Sequence, residues 1–139
     1  MFVDSAFGAA IVVRLKALGF TNVHEVNFGA SSPDFHCKNM RAYMWDQMKD
    51  WLLQGAIETD EKMAADLAGP GYGINRRNLL VLESKAEMQK RGQASPDDGD
   101  ALALTFAAAV EPEAPKEYDD EDEFHDISGY GSGHGSWMR

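Results

Sequence analysis

The chain has 139 residues, 44% of them hydrophobic, and a net charge of −10 at neutral pH. That length suits one domain with a real core, no apolar run nears the ~20 residues of a membrane span, and the acidic balance argues against tight nonspecific binding of nucleic acid by this chain alone. A single cysteine, Cys37, rules out an internal disulfide. With no basic leader in "MFVDSAFG", it sets the expectation of a reducing, cytoplasmic setting. The charge is unevenly spread. Residues 111–139 hold nine acidic and two basic side chains, against 14 and 11 in residues 1–110. The reading is therefore a folded domain over 1–110 and an acidic, Gly-rich disordered tail over 111–139.

"MFV" ending in Asp4 reads as a short buried strand. "SAFGAAIVVRLKALGF" has apolar residues at helical spacing (Ala10, Val13 and Ala17, with Leu15 and Leu18) and stops at Gly19, a plausible glycine just past a helix end. "NVHEVNFG" reads as a second strand, so strand, helix and strand together predict a βαβ unit with parallel pairing. "CKNMRAYMWDQMKDWLLQGAI" carries a broad Met/Trp stripe (Met40, Tyr43 or Met44, Met48, Trp51, Leu52), the pattern of a core-facing helix. "TDEKMAADLAG" predicts a short helix capped by Thr59 or Asp60. "GYGINRRNLLVLES" predicts a hairpin turning near Asn75–Asn78, with Arg76 and Arg77 at its tip. "SKAEMQKRG" predicts a short helix ending at Gly92, and "SPDDGDALALTFAAAV" a final helix with Ser95 at N-cap and Pro96 at N1.

Three aspartates open that last helix. Asp97 and Asp98, read as N2 and N3, are explained by the positive end of the helix macrodipole. Asp100, one turn on from Asp97, approaches the core. Asp4 lies at the carboxyl end of a strand, where open α/β sheets bind ligands, but aspartate is also an ordinary turn former. Carboxylates from a strand end and a helix start suit a hard cation such as Mg²⁺ or Mn²⁺, and the residues alone leave capping and metal binding both open. Arg76 and Arg77 are either phosphate contacts or solvated charges. Cys37 reads as a small apolar residue.

"LLVLESKAEMQKRGQASPDDGDALALTFA" resembles the end of the nuclease domain of the large terminase subunit of tailed bacteriophages and prophages. Its Leu-Glu-Ser-Lys run, Lys-Arg-Gly ending, Ser-Pro-Asp and Asp-Ala-Leu-Ala-Leu carry the likeness. "FVDSAFGAAIVVRLKALGF" and "NMRAYMWDQMKDWL" are similar to that family's aspartate strand and its Trp-bearing helix, so the resemblance runs over about residues 2–109. It implies an α/β, incomplete RNase H-like fold with a mixed sheet flanked by helices. It further implies a metal-dependent DNA endonuclease, a hydrolase that cuts concatemeric viral DNA during packaging in the bacterial host's cytoplasm. Carried over by position, Asp4 would be the second catalytic aspartate and a metal ligand, and Asp97 the helix-borne ligand. Asp100 would be a secondary catalytic candidate, Lys85 a basic residue beside the site, and Arg76 and Arg77 contacts to nucleic acid. The implied cofactor is Mg²⁺ or Mn²⁺, and the implied partners are double-stranded viral DNA, an upstream terminase polypeptide with the ATPase motor, and the portal protein. Departures are also plain: the family's first aspartate strand and any Gly-x-x-x-x-Gly-Lys-Ser/Thr motif are missing, and Met40 and Tyr43 stand in place of the family's usual Lys and Glu. The expectation is a nuclease fragment that is inactive or partner-dependent by itself; the alternative is a non-enzymatic docking module of the packaging complex.

Overall fold

A computed structural model describes residues 1–110; the acidic tail expected at 111–139 lies outside the described residues. Strand β1 (Phe2–Asp4) runs straight into helix α1 (Ser5–Ala17), because the Asp4 carboxylate accepts the Ala6 N–H at 3.0 Å and caps the helix. Gly19, at φ +91°, closes α1 as the pattern predicts. The chain returns as β2 (His24–Val26), parallel to β1 with Phe2 opposite His24 and Asp4 opposite Val26. The βαβ expectation is met.

The buried face of α1 differs from the expected one. Gly8 and Val12 are buried, whereas Ala10, Val13 and Ala17 are exposed. Apolar residues surround this helix on nearly every side, so periodicity could not choose the face. Close approach does: a Cβ on Gly8 would lie 2.3 Å from Val3 Cγ1, so only glycine lets the helix sit on β1 in this way.

Helix α2 (Met40–Leu52) starts where Asn39 accepts the Ala42 N–H at 3.0 Å. Its Met44, Trp45 and Met48 join Val26 and Ala103 at the centre of the core, with Phe2, Phe28 and Leu82 packed around them. Trp51, expected in the buried stripe, is half-exposed and leans on the Phe106 ring at 5.7 Å. Helix α3 (Glu61–Ala68) is capped by Asp60. Strands β3 (Tyr72–Ile74) and β4 (Leu80–Leu82) form the expected antiparallel hairpin. The far side of β4 meets the segment around Cys37, where Leu80 N–H donates to the His36 carbonyl at 2.7 Å and Lys38 N–H to the Leu80 carbonyl at 2.9 Å. Pairing of both senses is thus present, divided between two two-stranded sheets. Helix α4 (Lys85–Lys90) opens with a reciprocal capping box of Ser84 and Glu87. Helix α5 (Asp97–Leu104) packs against α2, α3 and β1.

No helix among the described residues is long and apolar enough to cross a membrane.

Candidate functional site

The first turn of α5 gathers the charges. The helix begins one residue later than the sequence pattern predicts: Pro96 is the N-cap, Asp97 is N1 and Asp98 is N2. Ser95, expected as the cap, instead donates its hydroxyl to Asp97 Oδ1 at 2.6 Å. The physical reason is that a proline N-cap offers no side-chain acceptor, and a distant residue takes over. Asp66 of α3 reaches across with Oδ2 to accept the N–H groups of Asp98 at 2.9 Å and Gly99 at 3.4 Å.

Lys85 is delivered to the same corner as the first residue of α4. Its ammonium donates to Asp97 Oδ1 at 2.9 Å and lies 3.0 Å from Asp100 Oδ2. The second of these is an ion pair without hydrogen-bond alignment, since Asp100 Oδ2 makes no hydrogen bond. Burial works to lower the Lys85 pKa, but the hydrogen bond to Asp97 and the negative charges of Asp97 and Asp100 outweigh it, and the net shift is upward. Asp97 is held below its ordinary value by the Ser95 hydroxyl and then by Lys85. Lys85 is a charged clamp between two carboxylates.

These two carboxylates are not alike. The Asp97 side chain is 69% exposed, that of Asp100 only 6%. Asp100 Oδ1 accepts from Arg41 Nε at 2.9 Å and from Trp45 Nε1 at 2.8 Å, both on α2. Arg41 also donates to the Glu83 carbonyl at 2.8 Å, which ties α2 to the end of β4. Asp100 is therefore the buried anchor of the corner, and Asp97 is its open edge. Asp98, on the next position, pairs with Lys62 of α3.

Among the residues singled out by sequence, Lys85, Asp97 and Asp100 come together. Asp4 caps α1 at the end of β1, and β1 packs on α5. Among the described residues no group of three or more His, Cys, Asp and Glu is placed to hold a metal. Arg76 and Arg77 sit exposed between β3 and β4. Cys37 is buried, and burial raises its thiol pKa, which fits an inert packing role. Three site residues escaped the sequence reading: Arg41, Trp45 and Asp66. Arg41 and Trp45 stand four apart and so share a face of α2. Asp66 stands out in its sequence context only as an acid in the small-residue run "AADLA".

No family model matches this sequence, and no curated protein matches it. Solved structures do. The nuclease domain of the large terminase subunit of bacteriophage Sf6 aligns over 79% of this chain with a TM-score of 0.57 and 19% identity. The fold is that of a large-terminase nuclease domain. A lysine-to-alanine mutant of the Sf6 domain aligns over 78% in structures with calcium (TM-score 0.59, 19% identity) and with manganese (0.56, 20%). The chain spans 64% of the calcium form's length and 65% of the other two. This likeness of fold bears out the α/β, RNase H-like expectation that the sequence resemblance implied.

Proposed function

We propose that this chain is part of a terminase nuclease domain and serves viral DNA packaging by divalent-cation-dependent cleavage of concatemeric double-stranded DNA. The observation that supports this most is the α5 corner: on a terminase-nuclease fold, an exposed Asp97 is held ionised beside a buried, fixed Asp100, with Lys85 seated against both. That corner already stabilises one positive charge. The donors are carboxylate oxygens, hard ligands that suit Mg²⁺ or Mn²⁺, and Mg²⁺ commonly takes only one or two protein carboxylates, with water and phosphate completing its shell. Asp4 and Asp97 are the residues that would hold it. The Sf6 structures with calcium and manganese accord with a divalent cation.

A bound cation of this kind activates water and stabilises the leaving oxygen in phosphodiester hydrolysis. The protein's own groups do the rest. Asp100 stays fixed by Arg41 and Trp45 and so holds the Lys85 ammonium in register with Asp97. Lys85 is placed to exchange a carboxylate for a backbone phosphate, and Arg76 and Arg77 at the hairpin tip add phosphate contacts further out. A further acid, as the sequence resemblance implies, would come from an upstream terminase polypeptide. The free edge of β1 is where that polypeptide would add a strand, since β1 pairs only with β2 among the described residues.

Nicking of supercoiled plasmid in Mg²⁺ or Mn²⁺, with and without the upstream polypeptide, tests the proposal. Expected is cation-dependent nicking that needs the partner and is lost in Asp97→Ala. Nicking unaffected by Asp97→Ala, or none in any combination, refutes it.

A further inference from the structure

We infer that Asp66, on α3, is the positioning residue that aims Asp97, acting as a cap on α5 from outside the helix. The inference rests on the reading of Asp97 as a cation ligand and adds to it the element that sets the ligand's place. The first N–H groups of any helix have no partners within it. In α5 the local sources of an acceptor are spent: Pro96 has no polar side chain, and the Ser95 hydroxyl is turned toward Asp97. Asp66 fills the gap through Oδ2, although it lies 32 residues from Asp98 in sequence and is itself only 9% exposed.

Two further contacts show that α3 grips this turn rather than touching it in passing. Lys62, one turn before Asp66 on the same face of α3, pairs with the Asp98 carboxylate. On the other side, Gly99 lies so close that a Cβ there would come within 3.0 Å of the Trp45 ring and 3.4 Å of Asp66 Cβ. The turn is thus held at its N–H groups, at one side chain and at its bare glycine. Asp97 opens this turn and Asp100 follows it directly, so a shift of the turn carries both carboxylates away from Lys85. Residues that orient metal ligands from behind in this way typically cost 10–100-fold in metal affinity or activity when removed.

The test compares Asp66→Ala with Asp66→Asn in the full chain. Asparagine keeps an acceptor oxygen for the same N–H groups; alanine does not. Two readouts are taken: Mn²⁺ affinity by calorimetry, and NMR of the Asp97 carboxyl titration with amide exchange at Asp98 and Gly99. Expected for Asp66→Ala are a roughly 10–100-fold weaker Mn²⁺ affinity, an Asp97 titration moved back up toward the ordinary carboxylate range, and faster exchange at both amides. Asp66→Asn should stay near the wild type. Should the alanine variant fail to fold, Asp66→Leu, which keeps a branched side chain of similar shape and has no acceptor, gives the same comparison. A folded variant without the acceptor that leaves the Asp97 titration and both amides unchanged overturns the inference. Unchanged Mn²⁺ affinity in Asp97→Asn sinks the cation reading instead, and the two NMR measurements, which need no metal, still decide the role of Asp66.

Discussion

Replacing the buried Arg41–Asp100 pair shows how much of the α5 corner is electrostatic. The two side chains are 10% and 6% exposed and meet at 2.9 Å. Removing one member of a buried pair strands the other, which costs about 3–5 kcal/mol. Arg41→Met leaves Asp100 with the Trp45 N–H and the nearby Lys85 ammonium, so its cost belongs near the lower end, about 3 kcal/mol. Asp100→Leu leaves Arg41 with only the Glu83 carbonyl and takes the acceptor from Trp45, which puts it near the upper end, about 5 kcal/mol. The double variant removes both charges, and the remaining penalty is mainly an unpartnered indole N–H, about 1–3 kcal/mol. Urea unfolding followed by circular dichroism on all four proteins measures this. The pair should show strong coupling, the double variant being more stable than Asp100→Leu. Additivity of the two single losses to within about 0.5 kcal/mol would refute the reasoning.

Glu83 supplies a pH test: hydrogen bonds from Arg91, then from the Gly71 N–H, draw its carboxyl from 4.5 to about 2. A folded pKa below the unfolded one means stability that is present above pH 4.5 and lost as pH falls toward 2, so Glu83→Gln should flatten the acid-unfolding curve in that window. Gly8→Ala should cost about 1–3 kcal/mol by overpacking against Val3, despite alanine's better helix propensity, and adding Val3→Ala should restore the melting temperature; a stabilised single variant would contradict the close approach of α1 and β1. Changing Arg76 and Arg77 together to alanine should reduce the salt dependence of DNA binding, with a slope smaller by up to about 1.8; fluorescence anisotropy across a salt series that shows the same slope would remove the hairpin tip from the DNA contacts.

The elements were legible because their ends are written locally. Asn39, Asp60 and the Ser84–Glu87 box each sit within three residues of the N–H they satisfy, and Gly19 and Gly92 take the positive φ that ends a helix. The βαβ unit followed from the same signals in series. What sequence could not show was distance. The cap of α5 comes from Asp66, and Asp100 is fixed by residues 55 and 59 positions earlier. No local pattern carries such pairings. The buried face of α1 was hidden for the opposite reason, since too many of its residues are apolar for periodicity to choose among them. The resemblance placed Lys85, Asp97 and Asp100 near one another, but not the division between an exposed acid and a buried one.

The borrowed cap on α5 also bears on the order of folding. A helix of eight residues is too short to hold its shape alone in water, where roughly 12–15 are needed even for favourable sequences. With the Asp98 and Gly99 amides satisfied only by Asp66 of α3, the opening turn gains those partners when the two helices dock, not before. A half-folded chain in which α3 and α5 have not met therefore has the acids of this segment but not their arrangement, and the charged corner forms only with that docking.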